Sequence, residues 1–216
     1  VNLLYGENPN KAVRAFTKPF HEAGIQTHML DRGLNGLRMY PVPADVRRLM
    51  YKVKHAQGVD ITRIFCGLNE VRNIIPSIHY ALEAGMIPQA TLCITFSPVH
   101  TVEYYTAIAE RLIEAGAPEI CLKDMAGVGR PEMLGRLTKA IKERHPEIII
   151  QYHGHSGPGL SMASILEVCE NGADIIDVAM EPISWGKVHP DVISVQAMLK
   201  DAGFQVPEIN MKAYMK

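Results

Sequence analysis

The chain has 216 residues, 47% of them hydrophobic and 21% charged, which suits one domain with a core large enough to offset chain entropy. Its 22 basic and 23 acidic side chains leave a formal net charge of -1, so no cationic excess points to nucleic acid. No apolar stretch reaches the roughly 18 residues of a membrane span, and Val1 to Asn10 lacks the basic and apolar regions of a secretory leader, so a cytoplasmic protein is expected.

In chain order, short β-branched or apolar runs recur at residues 26–30, 61–66, 90–96, 119–125, 148–155 and 174–179, and each reads as a buried strand. Amphipathic stretches with helix-start signals lie between them: Pro9-Asn10 before Lys11, Pro43 before Ala44, Ser97-Pro98 before Thr101, and Pro131 after Arg130. A further helix is expected over 190–202. The strands begin about 26 to 35 residues apart, the length of one strand-helix unit. About six such βα units in series imply one parallel sheet and a single domain over residues 1–216.

A sheet of this kind is either open and doubly wound or closed as a barrel. A GxGxxG phosphate turn after the first strand would favour the open form, and none is present. Chemically loaded residues cluster instead at strand ends, as Cys66, Lys123-Asp124, His153 and His155, which is how barrels assemble their sites. The expected fold is therefore an α/β (β/α)₈ TIM barrel, with Lys123 on its sixth strand and His153 and His155 on its seventh. Such a barrel needs eight strands, so its first two strands are expected to be absent from this chain.

In Gln151-Tyr152-His153-Gly154-His155-Ser156-Gly157-Pro158-Gly159 the period of two puts both imidazoles on one face of a strand, where they can share an ion. Gly154 keeps the intervening position small, and Gly157 and Gly159 allow a sharp turn. One structural and one surface histidine would give the same string. In Cys121-Leu122-Lys123-Asp124-Met125-Ala126-Gly127 a lysine ends an apolar strand, where an ammonium is costly unless paired, with Asp124 for instance, or modified. A carbamate formed on Lys123 with carbon dioxide would present anionic oxygens suited to a metal. Cys66, Cys93, Cys121 and Cys169 are far apart with no CxxC pair, so no disulfide is expected. Five histidines, His21, His28, His55, His79 and His145, are read as lying on helices or loops without ligand spacing, and His100 as positioning the helix that follows it.

Arg32-Gly33, Ile64-Phe65, Leu68-Asn69, Ser97-Pro98-Val99-His100-Thr101, Lys123-Asp124-Met125-Ala126-Gly127, His153-x-His155 and Asp177-Val178-Ala179 follow one another in order. With these strings the chain resembles the carboxyltransferase domain of biotin-dependent enzymes, a group that includes pyruvate carboxylase, the oxaloacetate decarboxylase α subunit and the pyruvate-binding subunit of transcarboxylase. The resemblance runs from about Asn8 to Lys200. It implies a divalent metal, zinc, manganese or cobalt, held by a carbamylated Lys123, His153 and His155, together with an aspartate on the first barrel strand. It also implies transfer of a carboxyl group between a 2-oxo acid of the pyruvate or oxaloacetate class and biotin borne by a separate carrier domain or subunit. An arginine that meets the substrate carboxylate matches Arg32, with Arg38 as competitor. A homo-oligomer is the expected assembly.

The chain departs from that pattern in three places. The first-strand aspartate segment has no counterpart before Val1. Cys66 stands where the family has an aspartate, and simple packing would account for it. The threonine that moves a proton between substrate and biotin is absent from Met180-Glu181-Pro182-Ile183-Ser184-Trp185-Gly186-Lys187-Val188-His189-Pro190, where Ser184 or a desolvated Lys187 is the available substitute. Trp185 walls the site or fills the rim, and Glu181 is a base or a solvated acid. Two other functions compete: a related HxH metal-dependent barrel lyase or Claisen-type synthase, which lacks the strand lysine, and a catalytically degenerate assembly subunit.

Overall fold

The structure, a computed structural model, describes residues 2–216. Two helices come first, the short α1 (Asn2–Tyr5) and α2 (Pro9–Glu22), and then strand and helix alternate. The alternation runs β1 (His28–Asp31), α3 (Ala44–Ala56), β2 (Ile61–Ile64), α4 (Ile75–Ala84), β3 (Ile87–Cys93), α5 (Val102–Glu114), β4 (Glu119–Asp124) and α6 (Pro131–Arg144). It continues with β5 (Ile149–Gly154), α7 (Ser161–Glu170), β6 (Ile175–Ile176) and α8 (Val192–Asp201), and α9 (Met211–Tyr214) follows. Among the described residues the six strands form one sheet in the order β1-β2-β3-β4-β5-β6, and the β1-β2, β2-β3 and β5-β6 pairs run parallel.

Local chemistry accounts for the helix boundaries. The Asn8 side chain accepts the amides of Asn10 and Lys11 at the start of α2, and Asp191 accepts the Ile193 amide at the start of α8. Proline occupies the first turn of α2, α4 and α6, where its missing N–H costs nothing. Gly85, in the left-handed region, closes α4.

All six expected strands are present; five are shorter than their apolar runs, and β3 is as long as its run but starts three residues earlier, at Ile87. The last run, 174–179, keeps only Ile175–Ile176 as strand; the Asp177 amide still donates to the Tyr152 carbonyl at 2.9 Å while its carboxylate meets side chains of β5. His28 lies on β1, so the sequence reading that put it on a helix or loop is corrected. Helices α3 and α6 begin where the proline signals place them, α2 begins at Pro9, two residues before Lys11, with Asn8 as its cap, and α5 begins at Val102, one residue past Thr101.

The chain divides into two compact units. One runs through Cys93 and includes Ala107–Cys121; its core holds Tyr51, Ile64, Ile74, Ile78, Leu92, Leu112 and Ile120. On β2 to β4 of this unit a buried polar chain runs from Arg63 Nε to Gln89 Oε1 (2.6 Å) and from Gln89 Nε2 to Glu119 Oε2 (2.8 Å). The other unit comprises Ile94–Thr106 and Leu122–Lys216, with Leu122, Leu134, Leu137, Ile150, Tyr152, Ile165 and Val168 at its core. Among the described residues no helix is long and apolar enough to cross a membrane. The four cysteines are free thiols.

Candidate metal centre

All six residues of β4 are buried, as expected of a strand covered on both faces, and Lys123 is only 3% exposed. Adjacent strand residues point to opposite faces, so Lys123 and Asp124 part company. The Asp124 carboxylate accepts the Val128 and Gly129 amides at 3.0 and 2.8 Å and so folds the loop after β4; burial pushes its pKa up against those hydrogen bonds. That loop must pass close to β5. Gly127 has φ +67, and a Cβ there would lie 2.5 Å from the His155 carbonyl oxygen and 2.8 Å from Pro158 Cδ.

On β5 the alternation works as the sequence suggests. Tyr152 and Gly154 share one face, and a Cβ on Gly154 would strike the Tyr152 ring, 2.5 Å from its Cε1. His153 and the following His155 share the other, with their Nε2 atoms 3.2 Å apart. Asp177 Oδ2 lies 2.6 Å from His153 Nδ1, and the Gln151 amide donates to the other carboxylate oxygen. The pairing of Gln151 with Ile175 and Tyr152 with Ile176 sets this up, since one more step of that register brings Asp177 beside His153.

A third imidazole completes the group. Ring nitrogens of His153, His155 and His189 all lie within 4.8 Å of one another. The His189 ring stands edge-on to the other two, 4.3 Å from His153 and 5.1 Å from His155 between centroids, at 83° and 85°. Its Nδ1 lies 2.9 Å from the Gly154 carbonyl oxygen, which fixes that nitrogen as the donor.

Burial and neighbouring charges favour the neutral form of the first two rings. Burial lowers the His153 pKa to about 4; the Asp177 hydrogen bond opposes that shift, and the charges of Lys123 and His189 add to it. Burial, His189 and Lys123 likewise lower that of His155. Neutral imidazoles with Nδ1 committed to an oxygen acceptor present Nε2 lone pairs, the form in which histidine binds metal. Two ligands about 2.0–2.1 Å from a tetrahedral ion lie about 3.3 Å apart, close to the 3.2 Å between the first two histidines. The residues present therefore fit a divalent ion.

The remaining sequence candidates fall out as follows. Ser184 Oγ is buried and without a hydrogen-bond partner. Lys187 is exposed. Trp185 is 38% exposed, and Glu181 is exposed. Arg32 and Arg38 are both exposed in the loop after β1. Cys66 is half-buried, its Sγ 3.5 Å from Asn73 Nδ2. His100 Nδ1 is 2.7 Å from Ser97 Oγ, at the approach to α5. Sequence reasoning passed over Asp177 and His189 as site residues. The signal for the first was its distance past the β5 register, and for the second a histidine directly before the proline that leads into the last long helix.

Known proteins bear on this geometry. The chain is 36% identical over 208 residues to a pyruvate carboxylase subunit of Methanocaldococcus jannaschii, covering 94% of this chain and 36% of that protein. It is 34% identical over 199 residues to the methylmalonyl-CoA carboxyltransferase 5S subunit of Propionibacterium freudenreichii subsp. shermanii, covering 92% and 39%. The chain thus spans little more than a third of these relatives. The carboxyl transferase domain from Rhizobium etli pyruvate carboxylase, solved with pyruvate, matches with a TM-score of 0.85 at 29% identity, over 91% of this chain and 34% of that one. The six-stranded α/β sheet is thus of the carboxyltransferase type. Residues 68–210, which contain Lys123 and the first two histidines of the cluster together with His189, match the model of the HMGL-like family, and the chain belongs to that family.

Proposed function

We propose that the chain is the metal-holding carboxyltransferase or decarboxylase part of a biotin-dependent enzyme acting on a 2-oxo acid of the pyruvate or oxaloacetate class. The observation that carries this reading is the pair of imidazoles of His153 and His155, with Nε2 atoms 3.2 Å apart and Asp177 holding the first. The names of the relatives, a pyruvate carboxylase subunit and a carboxyltransferase subunit, support the substrate class and carboxyl transfer. In this reading the six strands belong to an eight-stranded barrel, and the free thiols suit a reducing compartment such as the cytoplasm.

Lys123, as a carbamate, would hold the ion together with His153 and His155. A zinc, manganese or cobalt ion held there would act as a Lewis acid, stabilising negative charge on the carbonyl oxygen of the 2-oxo acid. Asp177 keeps His153 in the tautomer that leaves Nε2 available. Arg32, with Arg38 as the alternative, supplies a guanidinium for the substrate carboxylate. Ser184 is the better candidate for moving the proton between substrate and biotin, since its buried hydroxyl has unspent hydrogen-bonding capacity; Lys187 remains the alternative. The lyase or Claisen-type reading leaves a buried Lys123 without a role.

Metal content by plasma mass spectrometry on the full-length protein purified without chelators, paired with an assay of biotin-dependent oxaloacetate decarboxylation, tests this. About one zinc, manganese or cobalt per chain, lost with activity in Lys123→Ala and in a His153→Ala, His155→Ala double variant, is the expected result. Metal with acetyl-CoA turnover and no biotin dependence would establish the lyase or synthase instead. No metal and no turnover in the full-length protein would leave an assembly role.

A further inference from the structure

Granting the metal reading above, we propose that His189 is a third imidazole ligand of the same ion, through Nε2. Three independent features of the loop between β6 and α8 support it.

The ring is oriented before any ion arrives. Nδ1–H is spent on the Gly154 carbonyl, the residue between the two strand histidines, so the lone pair of His189 is on Nε2. This repeats the device by which Asp177 commits Nδ1 of His153. A histidine that merely filled the rim would have no need of a fixed tautomer.

The backbone is pinned on both sides of the ring. Trp185, at φ +65, and Gly186, at φ +54, make a tight turn in which the Val188 amide donates to the Trp185 carbonyl at 3.0 Å and the Trp185 amide to the His189 carbonyl at 2.7 Å. The Val188 carbonyl accepts the Ser156 amide at 2.9 Å, which ties the loop to the chain directly after His155. Pro190 accepts the Ala179 amide at 3.0 Å, and Asp191 caps α8. A left-handed non-glycine residue is a local cost that the surrounding contacts hold in place, and here it sets where the imidazole stands.

The three rings are also splayed as ligands around one point must be. His189 is nearly perpendicular to both neighbours, so its ring edge faces theirs. Three imidazoles make a nitrogen-rich donor set, which favours zinc or cobalt over manganese or magnesium, since those harder ions prefer oxygen.

The test uses the full-length protein, stripped of metal and titrated with cobalt(II) alone, in wild type, His189→Ala, His189→Gln and His153→Ala, with circular dichroism confirming that each is folded. The expected result is affinity weaker on the order of 100-fold in both His189 variants. The visible cobalt bands should change as a water replaces a nitrogen, and pulsed electron paramagnetic resonance of the copper(II)-loaded protein should count one imidazole fewer. Glutamine keeps the polar side chain in the turn, so wild-type affinity and spectrum in His189→Gln would show that the ring only packs and would overturn the proposal. If His189→Gln is unchanged while His153→Ala loses binding, the metal reading stands without His189. If His153→Ala binds as tightly as wild type, the metal reading itself fails and this inference fails with it.

Discussion

At the end of β1 the Asp31 carboxylate receives the Gly33 amide at 2.9 Å, the Tyr51 hydroxyl at 3.1 Å and the Thr62 hydroxyl; beyond β5, by contrast, His153, His155 and His189 turn ring nitrogens toward one another. Asp31 is buried and the three histidines are half-buried, and the pKa values of Asp31 and His153 are both shifted with burial as the first cause. The first is closed, because donors from a strand, a helix and a loop meet an acceptor. The second is open, because nitrogens that have each committed one side to an oxygen still face one another. A closed network explains itself as structure. An open group of imidazoles has the donor chemistry to hold a cation, and so the second region reads as a candidate site.

The largest expected effect separates the two regions outright. His153→Ala should lower carboxyl transfer on the order of 1000-fold or more with loss of the bound metal, because one deletion breaks the cluster and strands Asp177. Loss of activity with full metal occupancy would mean that the cluster does not hold the ion.

Acid should act on the two regions in opposite directions, which sharpens the contrast. In metal-free protein the unfolded chain protonates His153 near its ordinary value of 6.5, but the folded chain does so only near 4. The stability tied to keeping this ring neutral is therefore complete above 6.5 and is lost as pH falls toward 4, by about 3 kcal/mol. Asp31 runs the other way. Its pKa is raised from 3.8 to about 6, burial outweighing the three hydrogen bonds and the Arg47 charge. Its contribution is thus greatest at low pH and is lost as pH rises through 6, again by about 3 kcal/mol. Between pH 4 and 6 the two slopes offset each other. Asp31→Asn should unmask a rise in stability with pH, since an amide can take the place of the carboxylate while the Thr62 and Tyr51 hydroxyls rotate to accept. Urea unfolding in chelator from pH 4 to 7 measures this; parallel profiles for wild type and variant would refute the opposition.

Thr62→Val tests the closure of the first region more gently. Removing one of the hydroxyl donors to a buried carboxylate should cost about 2 kcal/mol, with metal content unchanged. A variant of wild-type stability would mean that the Thr62 hydroxyl is not needed to close the network.

The same contrast marks what was legible in the chain. Buried parallel strands announce themselves as apolar runs at regular spacing, so all six were readable, and so was the shared face of His153 and His155, which strand geometry dictates. The strand ends were not, because they depend on backbone pairing between strands distant in the sequence, which an apolar run does not encode. Asp177 needed the β5-β6 register, which no single strand carries. His189 needed a turn through Trp185 and Gly186 that returns the chain to the end of β5, and a non-glycine residue at positive φ leaves no periodic trace. Lys123 and its string were legible by resemblance; the role of Gly127 beneath the His155 carbonyl was not.

The smallest effect lies where the closed region meets substrate chemistry. Arg32 sits between Asp31, whose side chain is held by three donors, and Gly33, whose amide is one of them. Gly33 has φ +53, and a Cβ there would lie 2.7 Å from the Asn73 carbonyl oxygen. The Arg32 amide donates to the Gly36 carbonyl at 2.9 Å, and its own carbonyl accepts the Asn35 amide. The backbone of Arg32 is therefore fixed at the C-terminal end of β1 while its side chain is exposed, the arrangement expected of a binding residue carried on a rigid frame. Arg38, further into the loop, is tied to it by its amide's bond to Asn35. An exposed guanidinium that holds a substrate carboxylate contributes equally to ground and transition states. Arg32→Ala should accordingly raise KM for the 2-oxo acid about tenfold with kcat nearly unchanged, about 1.4 kcal/mol, and Arg38→Ala should alter neither. The reverse pattern would assign the carboxylate to Arg38, and the closed network around Asp31 would then support the fold alone.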